Sequence, residues 1–226
     1  MKGPGCHGAR VSGCRCQGAR VRGAAAWCLV LLLVPTAAGA QVTVRKTVSL
    51  LGGAVTGLVV HESGHVMTSA LFGAHPDTKP IHYAGILFFA VTHTPVTRRQ
   101  EFVVSSAGFW MQDIGSEWLL TARPHLSDQS APFLKGVLAF NLATSVMYAG
   151  AAFGKLGPPE RDPLGMARSL GKNGWPEPAV GALILAPALL DGYRYLKPEQ
   201  KWAAWASRGV KTAFIALTLF AGRPLP

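Results

Sequence analysis

Five long apolar segments follow residue 41 of this 226-residue chain. Each approaches the roughly 20 residues that a helix needs to cross the hydrocarbon core of a bilayer. Stretches with proline, glycine and charged residues separate them, and the longest of these, residues 154–177, is typical of a loop between helices. We therefore expect an all-α fold, a polytopic bundle of membrane helices at about 47–73, 101–122, 133–153, 178–196 and 202–221.

A short segment between the first two predicted helices has a different pattern. Residues 80–95, PIHYAGILFFAVTHTP, are rich in β-branched and aromatic side chains and are bounded by prolines. Such a run favours strands over a helix, and at about 15 residues it is too short to span a bilayer as a helix. The pattern predicts a short β-like loop, either a hairpin or a re-entrant strand.

The first 40 residues have the composition of a targeting segment. Five basic residues precede the apolar run at 24–34, and Ala38-Gly39-Ala40 has the small-x-small form of a cleavage site. Residues 1–40 are predicted to be a signal peptide or an uncleaved signal anchor, and residues 41–226 a single membrane-embedded domain. All four cysteines lie in the leader, so the remaining chain has no thiolate ligand.

Charge and composition support a membrane location. Charged residues make up 15% of the chain, against roughly 25% in a typical soluble domain. Outside the leader, 17 basic and 11 acidic residues leave a net charge of +6. A charge of this size does not indicate a nucleic-acid-binding surface. The basic residues favour a cytoplasmic location for loops 74–100 and 154–177, by the positive-inside rule. We expect a multi-pass protein of the cell membrane, with membrane lipid as a partner and no nucleic acid.

The sequence HESGH at residues 61–65 carries the candidate chemistry. In a helix, the i, i+4 spacing places His61 and His65 on one face, where both imidazoles suit a tetrahedral Zn²⁺. Glu62 then lies beside the metal as a general base for a water that zinc acidifies. Each ionisable group at mid-bilayer costs about 2.5–3.5 kcal/mol, so three within five residues indicate a metal or an aqueous cavity.

A catalytic zinc usually has three protein ligands and one open position, so a further carboxylate or imidazole is needed. Asp191 is the leading candidate, because it follows the uncharged run 178–190 near the end of a predicted membrane helix. Glu117, which shares a helical face with Asp113, is the rival third ligand. The alternative role for Asp191 is that of an interfacial residue at a helix end.

Two of these motifs together resemble the signature of the site-two protease family of intramembrane zinc metalloproteases. That signature pairs a membrane HExxH helix with a later helix bearing Leu-Asp-Gly, here Leu190-Asp191-Gly192 with Pro187 four residues before the aspartate. The resemblance implies a substrate helix that unwinds locally before cleavage. It also implies Glu62 as general base and three zinc ligands, namely His61, His65 and Asp191.

The chain also departs from that family pattern. The second family motif often has an asparagine ahead of its proline, whereas residues 182–184 here contain none. Asn141, in the third apolar segment, is a candidate contact for an unwound substrate backbone. An interhelical hydrogen bond is the alternative role for its amide.

The leading functional hypothesis is a zinc metalloendopeptidase that hydrolyses peptide bonds in membrane-embedded or juxtamembrane protein substrates. The second hypothesis is a non-proteolytic membrane protein whose metal serves structure or transport. A soluble secreted metalloprotease is a third class, and the uncharged stretch 136–154 disfavours it because such a run suits lipid.

Overall fold

A computed structural model describes residues 44–83, 86–171, 173–219 and 221. The predictions for the leader, residues 1–40, fall outside these ranges. The elements, in chain order, are α1 (Val44–Leu71), β1 (Asp77–Tyr83), β2 (Ile86–Thr92), α2 (Arg98–Ala122), α3 (Pro132–Gly154), α4 (Asp162–Ser169), α5 (Glu177–Leu196) and α6 (Lys201–Ala216), followed by a 3-10 turn (Leu217–Leu219).

The described residues are mostly helical with one small sheet, as the hydrophobic pattern predicts. The five predicted helices correspond to α1, α2, α3, α5 and α6, with ends that differ by a few residues. Two of them, α3 and α5, are long and apolar enough to cross a membrane by length and composition.

One helix was not predicted. The predicted loop 154–177 contains α4, which Asp162–Ser169 form. Its sequence carries weak helix signals, because Pro163 stands in the first turn, Asp162 is acidic at the positive end of the helix dipole, and Arg168 is basic at the negative end. A helix of eight residues is too short for hydrophobic periodicity to reveal it.

The predicted hairpin is confirmed. β1 pairs with β2 in antiparallel register, from Asp77 opposite Thr92 to Tyr83 opposite Ile86. An ion pair of 2.8 Å between the ammonium of Lys79 and a carboxylate oxygen of Glu160 joins β1 to the segment that precedes α4. The hairpin therefore lies on the side of the molecule where α4 begins.

Local side-chain chemistry sets the ends of two helices. α2 begins with a capping box, in which the Thr97 hydroxyl accepts from the Gln100 amide N–H and the Gln100 side chain accepts from the Thr97 N–H. α3 has Pro132 in its first turn and ends at Lys155, whose φ of 51° is left-handed. These signals fix where the chain enters and leaves the helices around the candidate site.

Glycines allow α1 and α3 to touch backbone to backbone. A Cβ atom at Gly53 of α1 would overlap the carbonyl oxygen of Phe133, and one at Gly136 of α3 would overlap the carbonyl oxygen of Leu50. One turn further along α1, Gly57 faces the ring of Phe140. Small residues at a helix crossing permit this close approach, which is a common packing mode between membrane helices.

The described part of the chain has polar residues inside and large apolar residues outside. Its buried side chains include polar and charged groups from six helices: His61, His65, Gln112, Asn141, Ser169, Asp191, Arg194 and Lys211. Its exposed side chains include many large apolar ones, for example Val48, Val59, Met67, Trp118 and Leu189, each at least 61% exposed. The buried apolar side chains form two clusters, one around Phe102, Phe109, Met166, Val180, Ile184 and Phe214 and a smaller one of Leu119, Leu120, Leu126 and Leu138.

The contact between α1 and α3 gives a prediction on stability. Gly53→Ala should destabilise the protein by about 1–3 kcal/mol, because the added methyl group must push two helix backbones apart. The change would be measured as a lower midpoint of thermal unfolding in detergent, followed by tryptophan fluorescence.

Gly52→Ala is the matched control, since a Cβ atom at this neighbouring position would meet nothing within 4 Å. Alanine has the higher helix propensity, so this variant should be neutral or gain up to about 1 kcal/mol. Equal midpoints for the two variants would contradict the proposed backbone contact.

Candidate metal centre

The two histidines of the HESGH sequence lie on one face of α1, as their spacing predicts. Their Nε2 atoms are 3.3 Å apart, and both rings are buried. The Oδ2 atom of Asp162 lies 3.6 Å from Nε2 of His61 and 3.5 Å from Nε2 of His65. Among the described residues, these three side chains form the one group of histidine, cysteine and acidic residues arranged to hold a metal ion.

The separations of the three atoms fit a small tetrahedral cation. Ligands about 2.0–2.1 Å from a tetrahedral zinc lie roughly 3.4 Å from one another. The observed separations of 3.3, 3.5 and 3.6 Å are close to that value. Two imidazole nitrogens and one carboxylate oxygen are also a donor set that zinc accepts in catalytic sites.

Space beside the histidines is kept open by a glycine of α2. A Cβ atom at Gly108 would lie 2.6 Å from Nε2 of both His61 and His65, and 2.5 Å from Cε1 of His61. Any larger residue at this position would therefore occupy the space toward which the two nitrogen atoms point.

A hydrogen bond from the backbone of α2 fixes the orientation of His65. The ring nitrogen Nδ1 lies 2.7 Å from the carbonyl oxygen of Val104 and donates its proton to it. In a neutral imidazole, this bond leaves the lone pair on Nε2, the atom that faces Asp162. The Nδ1 atom of His61 is buried and has no hydrogen-bond partner among the described residues.

Asp162 reaches the histidines from the first turn of α4. Its neighbour Arg161 forms two bonds with the carboxylate of Glu177, Nε to Oε1 at 2.6 Å and Nη2 to Oε2 at 2.8 Å, which hold this segment against the start of α5. Burial favours the neutral carboxyl group, but His65 and His61 outweigh it and hold the pKa of Asp162 below its ordinary value. The two histidines therefore favour the ionised carboxylate, which is the form that binds a metal ion.

Glu62 lies next to these three residues without joining them. It is half-buried on α1 and interacts electrostatically with His61, His65 and Asp162. As the residue after His61, it projects from α1 in a different direction from the two imidazoles. The Glu62 carboxylate therefore lies near the candidate metal centre but is not one of the three side chains arranged to hold an ion.

The predicted third ligand, Asp191, is not part of this group. Its buried carboxylate accepts hydrogen bonds from Ser207 at 2.8 Å and pairs with the Lys211 ammonium at 2.8 Å and with the Arg194 guanidinium at 3.4 Å. The rival, Glu117, accepts hydrogen bonds from Arg194 and Arg208. The structure thus places both carboxylates in an ion cluster between α2, α5 and α6, and the carboxylate beside the histidines is that of Asp162.

Asp162 is not recognisable as a partner of the histidines from the sequence, because it lies in a polar stretch and not in an apolar helix where a carboxylate would be costly. Lys211 and Arg208 lie on α6 and Arg194 lies three residues after Asp191, so the charges that neutralise Asp191 and Glu117 were visible but their proximity was not. The one local signal for Asp162 was the Asp-Pro pair that starts a helix. That signal says nothing about which other helix the aspartate faces.

Asn141 of α3 makes an interhelical contact, the alternative role predicted for its amide. Its amide nitrogen donates to the backbone oxygen of Gln112 at 3.2 Å and to the Ser116 hydroxyl at 2.9 Å. Because both acceptors belong to α2, the amide protons of Asn141 are engaged in joining α3 to α2. Contact with a substrate stays a prediction.

The ion cluster gives a second prediction. Asp191→Ala leaves the buried Lys211 without its nearest partner, so it should cost about 3–5 kcal/mol and lower the unfolding midpoint on the order of 10 °C. Replacing both partners with apolar residues, Asp191→Leu with Lys211→Met, should restore much of this loss, because no charge is then left unpaired.

The control is Asp128→Ala, which removes a carboxylate whose side chain is 76% exposed. It should change the free energy of unfolding by less than about 0.5 kcal/mol. An unchanged midpoint for Asp191→Ala would show that the cluster contributes nothing to stability.

Comparisons with known proteins give no relative against which to check this site. No protein-family model, no curated protein and no solved structure matches the chain. The interpretation of the centre therefore depends on the chemistry of its own residues.

Proposed function

We propose that this protein is an intramembrane zinc metalloprotease that hydrolyses peptide bonds in membrane-embedded or juxtamembrane substrates. The observation that carries the proposal is the triangle of Nε2 of His61, Nε2 of His65 and Oδ2 of Asp162, with sides of 3.3–3.6 Å. A buried triangle of these atoms matches the three protein ligands of a catalytic zinc and leaves a fourth position open.

His61, His65 and Asp162 would hold the ion. A zinc ion bound there supplies Lewis-acid chemistry, which polarises a carbonyl group and acidifies a water molecule. Asp162 takes the role that the resemblance to site-two proteases gives to Asp191. The proposed reaction is that of the site-two protease family, and the proposed third ligand is Asp162 instead of Asp191.

Glu62 is the proposed general base. It accepts a proton from the attacking water and transfers it to the amine that leaves when the peptide bond breaks, so the water is consumed and no covalent enzyme intermediate is needed. Its half-buried position beside the three ligands supports this role, because a base must lie close to the water without binding the metal itself. Gly108 leaves room on the same side for the reacting groups.

A membrane location is supported by the outer face of α1. Between residues 48 and 67 its exposed side chains are Val48, Leu50, Leu51, Val55, Thr56, Val59, Val66 and Met67, with no charged residue among them. These 20 residues rise about 30 Å, the thickness of the hydrocarbon core. The Thr56 hydroxyl donates to the Gly52 carbonyl at 2.9 Å, which satisfies it within the helix.

Together with the apolar α3 and α5, this face of α1 suits a multi-pass protein of the cell membrane. The bundle would then bury its polar residues because lipid cannot hydrogen-bond them. In this setting the substrates are membrane proteins or peptides, and a bond to be cleaved must leave its helix to reach Glu62.

Metal content and cleavage together test the activity. The purified protein should contain about one zinc per chain, and His61→Ala, His65→Ala or Asp162→Ala should remove it, because two remaining ligands bind zinc far more weakly. Glu62→Gln should retain the zinc but lower the cleavage rate by at least about 10²-fold. The measurements are elemental analysis and the release of fragments from a pool of labelled single-span peptides in mixed micelles.

Asp191→Ala and Glu117→Ala are the matched controls, since each removes a buried or half-buried carboxylate that lies outside the triangle. Both should keep their zinc. Loss of zinc with Asp191→Ala but not with Asp162→Ala would refute the ligand set, and a metal-replete wild type without zinc would refute the metal centre. Zinc without cleavage of any peptide would favour the alternative, a metal that serves structure or transport.

The membrane location has its own test. The protein expressed in cells should stay in the membrane fraction after washing with alkaline carbonate or high salt and should be released by detergent. Release by carbonate alone would contradict the proposal and would favour the soluble secreted class.

A further inference from the structure

The three candidate ligands are not oriented in the same way. The ring of His65 is fixed by its hydrogen bond to the Val104 carbonyl. The Nδ1 atom of His61 has no such partner among the described residues, and Asp162 comes from a segment that is separate from the helix bearing the histidines. Metal ligands generally need a neighbouring group that sets their orientation.

Tyr148 of α3 contacts the ring of His61. The two rings are stacked, with their planes 20° apart and their centroids separated by 6.1 Å. Phe109 of α2 meets both rings edge-on, at 5.5 Å from His61 and 5.3 Å from Tyr148. The His61 ring is therefore held by aromatic packing in place of a hydrogen bond.

The hydroxyl of the same tyrosine also contacts Asp162. It lies within hydrogen-bonding reach of the carboxylate, and the two groups interact electrostatically. Tyr148 lies six residues before the end of α3, whereas Asp162 begins α4 beyond the intervening loop. One phenol group thus links the helix bundle to the segment that carries the third ligand.

We propose that Tyr148 is a positioning residue for the metal centre, with its hydroxyl holding the Asp162 carboxylate against the histidines while its ring holds His61. This inference rests on the proposed zinc site. Tyr148 orients two of the proposed ligands, His61 and Asp162, in the way that the Val104 carbonyl orients His65. A hydrogen bond to one carboxylate oxygen also directs the other oxygen toward the metal position.

Simple aromatic packing is the competing explanation, and it predicts a different outcome. If Tyr148 only fills space between α1 and α3, its removal lowers stability without a specific effect on the metal. If its hydroxyl acts through Asp162, deleting that hydroxyl weakens zinc binding only while Asp162 is present. A double-mutant cycle separates the two explanations.

The experiment measures the zinc dissociation constant of the detergent-purified full chain by competition with a chromophoric chelator. Tyr148→Phe keeps the ring and removes the hydroxyl, and it should weaken zinc binding about 10–100-fold. Tyr148→Leu also removes the stacked ring and should weaken binding further. In the Asp162→Ala background, Tyr148→Phe should change the dissociation constant by less than about twofold.

Tyr193→Phe is the matched control, because Tyr193 of α5 packs against Trp202 and is 38% exposed. It should leave zinc binding unchanged. The visible absorption of the Co²⁺-substituted protein gives a second readout, and at saturating Co²⁺ it should change for Tyr148→Phe but not for Tyr193→Phe. If Asp162→Ala binds zinc too weakly for its dissociation constant to be measured, the Co²⁺ spectrum distinguishes the two explanations.

Two results would overturn the inference while leaving the metal centre intact. The first is wild-type zinc affinity and an unchanged Co²⁺ spectrum for Tyr148→Phe. The second is an equal loss of affinity with and without Asp162. A wild-type protein that binds no zinc would instead overturn the metal centre itself, so the two failures are distinguishable.

Discussion

The contact between the Asp162 carboxylate and the buried Nε2 atoms of His61 and His65 is the interaction on which the arrangement around the candidate centre depends. It joins the start of α4 to the middle of α1, two elements almost 100 positions apart in the sequence. The chain must leave α3 at a left-handed Lys155 and return at Arg161, which Glu177 anchors. Without that return, α1 would present two histidines with no carboxylate between them and the third corner of the group empty.

A second constraint is the close approach of helices near the histidines. Gly53 and Gly136 let α1 and α3 touch, and Gly108 leaves open the space in front of both imidazoles. The lack of a side chain at these glycines is therefore as important for the geometry of the centre as the side chains of the candidate ligands. Tyr148 lies on the same helix as Gly136, so the packing that joins α1 to α3 also brings its ring against His61.

The buried charges divide into two groups with different chemistry. Beside the histidines, Asp162 faces nitrogen atoms that a metal ion can use, and the Glu62 carboxylate lies nearby. Between α2, α5 and α6, Asp191 and Glu117 face lysine and arginine, and their charges are already neutralised by the protein. A carboxylate that is compensated by ammonium or guanidinium groups has little need of a metal, whereas one beside two imidazoles gains from a cation.

The sequence alone determined the local features of this protein. Apolar runs of about 20 residues located the five long helices, a proline-bounded β-branched run located the hairpin, and the i, i+4 spacing placed His61 and His65 on one face. Each of these depends on residues close together in the chain. The third partner of the histidines depended on tertiary structure. Asp162 lies in a polar stretch of the sequence, and only the fold shows that it faces the histidines while Lys211 and Arg194 neutralise Asp191. The same physical reason explains Tyr148 and Gly108: nothing near them in the sequence reveals which helix they will face, and only packing decides it.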